Sequence, residues 1–239
     1  MIFVIPMAGL SNRFREEGFT LPKYMLYVKN RSLFDLSVSS FEAYFATARF
    51  VFIALDLFDT KRFITDECKK LGIANYSIII LNRPTRGQAE TVYLGLQKLD
   101  GQAKAGNLII FNIDTIRHNY GFPGIAKETG GVLEVFKGSG KNWSYAKTNG
   151  LTDDVIETAE KKEISEYCST GMYYFKDVHI FEKLFLQYSQ HFEGNAGELY
   201  IAPMYNLLIQ CDLGCKIDLI KNNDVVFSGV PAEYYQLLK

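Results

Sequence analysis

The chain has 239 residues, 48% of them apolar, and a formal net charge of −1 from 26 basic and 27 acidic side chains. That is enough apolar material for a continuous core, and a near-neutral balance excludes a broad basic surface for nucleic acid or anionic lipid. No apolar run approaches membrane-spanning length, and Met1 leads straight into a strand-like segment, so no membrane association is expected and the cytoplasm is the expected compartment. Cys68, Cys168, Cys211 and Cys215 come with no matching Cys or His set and read as ordinary reduced thiols.

The first half alternates strand and helix signals. Ile2–Ile5 is an apolar strand, Ser32–Thr47 a helix with a serine cap, and Phe50–Leu55 the next strand. Thr60–Leu71 is an amphipathic helix stopped by Gly72. Tyr76–Leu81 is a strand, Gly87–Leu99 a helix stopped at Gly101, and Leu108–Ile113 a strand that ends at Asp114. Repeated strand–helix units imply a mostly parallel sheet covered on both faces, with ligands at the carboxyl ends of its strands. The second half is shorter-stranded: Gly131–Phe136, Trp143–Lys147, Val155–Thr158 and Thr170–Phe175 suggest an antiparallel elaboration. Helices are expected over Val178–Tyr188 and Glu198–Gln210, strands over Lys216–Leu219 and Val225–Phe227, and a last helix from Pro231. The expected fold class is therefore α/β, with an inserted antiparallel β region and no separate linker.

Chemistry concentrates at the start. The strand Ile2–Ile5 opens through Pro6 into Met7-Ala-Gly-Leu-Ser-Asn-Arg13, and Leu21-Pro22-Lys23 follows. A buried strand delivering a small-residue loop presents backbone N–H groups to phosphates, and Arg13 and Lys23 add fixed positive charge. Composition alone leaves open that both cations are merely solvated. Gly138-Ser-Gly-Lys141 is not a P-loop, because Val135 and Asn142 stand where Gly and Ser or Thr are required. His118, His179 and His191 have no metal spacing, and the lack of Asp-x-Asp weighs against a glycosyltransferase.

The order Ile-Pro-Met-Ala-Gly-x-x-x-Arg-Phe followed by Pro22-Lys23 resembles the signature of the sugar-nucleotide pyrophosphorylases, a family of NTP transferases. Asn112-Ile-Asp114, the segment Val155 to Lys161, Cys168-Ser-Thr-Gly171-Met-Tyr-Tyr-Phe175 and Gly229-Val-Pro-Ala-Glu233 extend the resemblance along the chain. Its length and the Glu198 to Asn206 segment are similar to short members from bacterial capsule and surface-polysaccharide pathways. The resemblance implies a Rossmann-like sheet and one nucleotidyltransferase domain, residues 1–239, with a nucleotide-binding half (1–115) and an acceptor-binding half (116–239). It implies an NTP and a phosphorylated small-molecule acceptor as partners, a sugar 1-phosphate first among acceptors, with pyrophosphate released. A homo-oligomer stays open.

By the same resemblance, the backbone of Ala8, Gly9 and Leu10 touches base and ribose, Arg13 holds the β,γ-phosphates and Lys23 lies by the α-phosphate. Asp114 binds Mg2+, and Lys161 receives the acceptor phosphate. Arg13, Lys23 and Asp114 are the catalytic candidates. Gly87 and Gln88 open a helix after a strand, and Gln88, with both a donor and an acceptor, either reads a base edge or faces solvent. Thr170 and Gly171 line the acceptor pocket or simply form a strand. Glu198, with Tyr200, binds acceptor hydroxyls or an amine, or is a helix-start acid favoured by the dipole.

Two departures stand out. Ser11 and Asn12 replace the loop's usual second glycine; Asn12 is the residue expected to tolerate a left-handed backbone, and Ser11 either crowds the triphosphate or hydrogen-bonds it. Phe227 occupies the position of a second metal-binding acid, with Asp224 or Asp218 as substitutes. Phe227 motivates one alternative, a non-catalytic nucleotide-sugar binder; the resemblance to cytidylyltransferases on the same scaffold, with a short acceptor half, gives another, a cytidylyltransferase acting on a phosphorylated amine, polyol or amino-acid amide such as phosphoglutamine.

Overall fold

The computed structural model describes residues 1–104, 106–190 and 197–239; His191 lies outside them. In chain order the elements begin with β1 (Ile2–Met7), α1 (Asn12–Glu16), β2 (Tyr27–Val28), β3 (Arg31–Ser32), α2 (Leu33–Val38), β4 (Arg49–Leu55) and α3 (Thr60–Leu71). There follow β5 (Tyr76–Leu81), α4 (Gln88–Leu96), β6 (Leu108–Phe111), β7 (Thr115–Arg117), β8 (Gly131–Lys137), β9 (Ser144–Thr148) and β10 (Val155–Glu160). The chain ends with β11 (Tyr167–Phe175), α5 (Val178–Gln190), α6 (Met204–Gln210), β12 (Cys215–Leu219), β13 (Val225–Phe227) and α7 (Pro231–Leu237).

Two compact units interleave in sequence. The first is Phe3–Pro84, Phe111–Tyr120 and Asn223–Lys239. In it β1, β4 and β5 lie side by side, and β4 pairs with β5 in parallel from Phe50↔Tyr76 to Leu55↔Leu81. Phe3, Phe50 and Phe52 are fully buried, and Phe3 stacks on Phe50 at 4.9 Å between centroids. Helix α3 stops where expected: Gly72 takes φ 72°, and the next N–H, of Ile73, turns back to the Cys68 carbonyl at 3.0 Å.

The expected helix over Ser32–Thr47 is broken. Ser32 does cap it, its Oγ accepting from Asp35 N–H at 3.0 Å, but α2 ends at Val38 and a 3-10 stretch covers Ser39–Tyr44. Phe41 departs to φ −114° and ψ 23°. Its ring is wholly buried against Phe3 and Phe111, at 4.6 and 4.7 Å, so core packing overrides the continuing α-helix.

The second unit is Met1–Ile2, Thr85–Ile110 and Gly121–Asn222. Its strands run β10-β9-β11-β6, with β8 between β11 and β12. β8–β11, β11–β9 and β9–β10 are antiparallel, whereas β12 joins β8 in parallel. This is the inserted antiparallel region expected from the short strands. The fold is α/β, a largely parallel sheet flanked by helices with an antiparallel addition. The helix expected over Glu198–Gln210 is only α6, preceded by Pro203 as its cap. Residues 198–200 are not helical; Leu199 instead donates to the Arg86 carbonyl at 2.7 Å and accepts from Ala89 N–H at 2.9 Å. Glu198 is therefore not a helix-start acid. None of the described helices is long and apolar enough to cross a membrane.

Candidate active site

In the first unit, β1 ends at Met7 and releases Ala8, Gly9 and Leu10 as a loop. A Cβ on Gly9 would meet nothing within 4 Å, so the fold itself places no steric demand for glycine there. The left-handed residue of the loop is Ser11, at φ 56° and ψ 37°, not Asn12, which already begins α1. Ser11 Oγ turns back to accept from Lys23 N–H at 3.3 Å, tying the loop to the Pro-Lys segment. Arg13 is exposed on α1, while the next residue, Phe14, is buried with Leu26, Leu33 and Tyr234. That apolar cluster holds α1, the Lys23 segment and α7 together.

Lys23 Nζ donates to Asp114 Oδ2 at 2.5 Å, the side chains being 20% and 25% exposed. Asp114 sits in the turn between β6 and β7. Its carbonyl accepts from Ser228 N–H at 2.8 Å and Ser228 Oγ at 3.1 Å, so the residue after β13 fixes its backbone. Phe227 pairs with Thr115, placing the residue at the expected second-acid position beside Asp114 on an adjacent strand. Asp224 lies at the other end of β13, its carbonyl taken by His118 N–H at 2.8 Å, and Asp218 lies on β12 in the second unit.

The second acid beside Asp114 is one to which the motif reading gave no role, Glu233. Its Oε2 accepts from the N–H groups of Gly229 and Val230 at 2.7 and 3.1 Å. Burial pushes its carboxyl above the ordinary value; the two amide bonds pull it down, the Asp114 charge pushes it up and the Lys23 charge opposes that. The sequence signal was available: Pro231 opens α7, and Glu233 stands where a first-turn acid can reach back to the chain entering the helix. Nothing in the sequence singled out Ser228.

Among the described residues no cluster of three or more His, Cys, Asp and Glu could hold a metal. Asp114, with Glu233 near it, is nevertheless a hard-oxygen set of the kind Mg2+ takes when phosphates complete its shell. A Cβ on Gly229 would come within 3.0 Å of Asp114 Oδ2, so the bare glycine keeps that oxygen clear. The residues present therefore fit the ion.

In the second unit, Gly87 adopts φ 143° and ψ −177°, and a Cβ there would lie 2.6 Å from both N and O of Leu199. Only glycine allows this approach. Gln88, half-buried, opens α4. The backbone ladder through Leu199 sets Glu198 and Tyr200 beside this turn. Lys161 Nζ hydrogen-bonds Tyr200 Oη, whose hydroxyl donates to Glu198 Oε2, so two predicted acceptor residues meet through a tyrosine. Glu160 joins them: burial raises its carboxyl, the Ser144 hydroxyl and Lys161 lower it, and Glu198 raises it. Thr170 is 1% exposed and donates to the buried Glu134 Oε1 at 2.9 Å. Gly171, at φ 88°, lies where the β11–β8 register shifts.

The fold is α/β, with a lysine–aspartate pair at a strand end of one unit and, in the other unit, a lysine flanked by carboxylates. The chain is similar over its whole length to a nucleoside-diphosphate-sugar pyrophosphorylase from Vibrio cholerae RC9, with 47% identity, coverage of 100% of this chain and 99% of that one, and a TM-score of 0.95. The fold also matches a putative glucose-1-phosphate thymidylyltransferase from Bacillus anthracis, at TM-score 0.76, 15% identity and coverage of 100% and 94%. An inositol-1-phosphate CTP transferase from T. maritima matches at TM-score 0.70, 15% identity and coverage of 99% and 94%. These two share the fold alone. No protein-family profile and no curated protein matches the chain.

The chain belongs to the sugar-nucleotide pyrophosphorylase family of NTP transferases. It is an enzyme, a nucleotidyltransferase, and the non-catalytic alternative falls.

Proposed function

We propose that this enzyme transfers a nucleoside monophosphate from an NTP to a sugar 1-phosphate, releases pyrophosphate and so supplies an activated precursor for a capsule or surface polysaccharide. The observation that carries the transfer is the Lys23–Asp114 pair at 2.5 Å, held by Ser11 on one side and Ser228 on the other. The obstacle in such a transfer is repulsion between anions: two unit charges 4 Å apart interact by about 4 kcal/mol at an effective dielectric near 20. Fixed cations must offset several such interactions.

Without substrate, the Lys23 ammonium neutralises Asp114. With an NTP present, Lys23 turns to the α-phosphate, Arg13 takes the β,γ-phosphates, and the bare backbone of Ala8–Leu10 meets the nucleoside. Asp114, backed by Glu233, would hold Mg2+, and the ion when bound would screen the phosphate charge. Gln88 reads the base. Lys161 receives the acceptor phosphate, whose oxygen is the nucleophile, so no covalent enzyme intermediate is needed.

A second reading, CMP transfer to a phosphorylated amine, polyol or amino-acid amide, is favoured by Glu160 and Glu198 beside Lys161, because two carboxylates suit an ammonium as well as hydroxyls. A pyrophosphate-release assay separates the readings by crossing the four NTPs with sugar 1-phosphates and with phosphorylated amines, polyols and amides. Turnover confined to CTP and a phosphorylated amine, polyol or amide selects the second reading. Nucleotide binding with no pyrophosphate from any pair rejects both.

A further inference from the structure

Lys161 is held in an unusual way for a cation that is to receive an anion. Its backbone is left-handed, at φ 55°, and its N–H donates to the Trp143 carbonyl at 2.9 Å, which fixes where the side chain starts. Its ammonium then docks on one tyrosine twice, bonding the Tyr200 hydroxyl and lying 4.6 Å from the ring centroid. The same hydroxyl gives its proton to Glu198.

Tyr200 is itself immobilised. The Tyr188 hydroxyl bonds its backbone, and the preceding residue, Leu199, is laddered to Arg86 and Ala89. The tyrosine is thus a fixed post between a lysine and a carboxylate.

We propose that Tyr200 is a positioning and insulating residue of the acceptor subsite, keeping the Lys161 ammonium off the flanking carboxylates so that its charge remains available to a phosphate. The inference rests on the reading of Lys161 as the acceptor-phosphate residue. An ammonium that meets a neutral hydroxyl and a ring keeps most of its attraction for an anion. An ammonium closed onto Glu198 or Glu160 is neutralised, and an incoming phosphate dianion must then break an ion pair and face a carboxylate. A hydroxyl can accept from Lys161 and donate to Glu198 together, which satisfies both without letting them touch.

The test uses the full chain and inorganic phosphate as probe, followed by NMR of lysine Nζ labelled with 15N; the Lys161 signal is identified by its loss in Lys161→Met. In the parent protein, phosphate should shift that signal saturably. Tyr200→Phe keeps the ring but lets Lys161 pair with Glu198, so the apparent Kd for phosphate should rise about tenfold. Adding Glu198→Gln removes the competing charge and should bring the Kd back to within about twofold of the parent. Equal Kd values for the parent and Tyr200→Phe overturn the proposal. So does a weakened Tyr200→Phe that Glu198→Gln fails to restore, because a purely structural defect is indifferent to that charge. A parent Lys161 signal unmoved by phosphate sinks the underlying reading of Lys161 instead, and the proposal with it. Should Tyr200→Phe not fold, Glu198→Gln alone decides: unchanged or tighter phosphate binding supports insulation, and weaker binding overturns it.

Discussion

Replacing Gly87 with alanine should damage stability and acceptor binding together. The position sits at φ 143° and ψ −177°, a region essentially reserved for glycine, where any side chain costs about 1–3 kcal/mol. The new Cβ would also stand 2.6 Å from Leu199 N and from Leu199 O. Neither atom can yield cheaply, because both belong to a backbone ladder with Arg86 and Ala89 at 2.7 and 2.9 Å. The turn can keep its place and bear the strain, or peel away and lose the two hydrogen bonds at about 1 kcal/mol each. The cheaper route sets the cost, so we expect a loss of about 2 kcal/mol, or roughly 4–8 °C in melting temperature for a domain of this size. If the turn peels away, Gln88 loses its place on one side and Glu198 and Tyr200 on the other, so the KM for NTP and the KM for the acceptor should both rise. Circular dichroism melting and steady-state pyrophosphate release measure the two effects. A Gly87→Ala variant melting within about 1 °C of the parent, with both KM values intact, would refute the strain argument.

Other substitutions separate binding from folding. Lys23→Ala should lower kcat by roughly 10³-fold, as loss of a fixed charge at the transferring group does, while the part-exposed pair with Asp114 costs only about 1 kcal/mol of stability; near-parental turnover would remove Lys23 from the site. Asp114→Asn should raise the Mg2+ concentration for half-maximal turnover at least about tenfold and weaken Mn2+ binding measured by electron paramagnetic resonance; an unchanged titration means the ion is held elsewhere. Gly9→Ala should leave unfolding within about 0.5 kcal/mol of the parent, since open space surrounds the new methyl, yet raise the NTP KM; an unaffected KM shows that the nucleotide does not approach this backbone. Asp35 supplies a pH dependence. Burial pushes its carboxyl up, but hydrogen bonds from Arg31 and Lys70 outweigh burial and leave it below the ordinary value. Its stabilisation is therefore complete above the unfolded carboxylate pKa and fades as pH falls through the lower folded value. Urea midpoints of Asp35→Asn should lie below the parent at neutral pH and converge with it in acid; a gap that persists in acid contradicts the assignment.

The strand–helix alternation of the first half, the stop at Gly72, the antiparallel character of the second half and the family itself were legible in the sequence. These features depend on local periodicity, turn chemistry and short runs of residues in fixed order, all of which the chain states one segment at a time. The opening loop was legible as a strand-end loop for the same reason. What the sequence left open depends on residues far apart in the chain. Phe41 breaks a well-patterned helix because its ring fills a space among Phe3, Phe111 and Tyr120 that only the assembled core creates. Ser11 rather than Asn12 takes the left-handed turn because its hydroxyl finds Lys23 N–H, twelve residues on. Glu198 reads as a helix-start acid until Leu199 commits its backbone to Arg86 and Ala89, over a hundred residues earlier. Glu233 and Ser228 reach Asp114 only when the end of the chain returns to the turn after β6. Local order names the chemistry, whereas side chains from distant segments, brought together by burial, decide which atoms carry it.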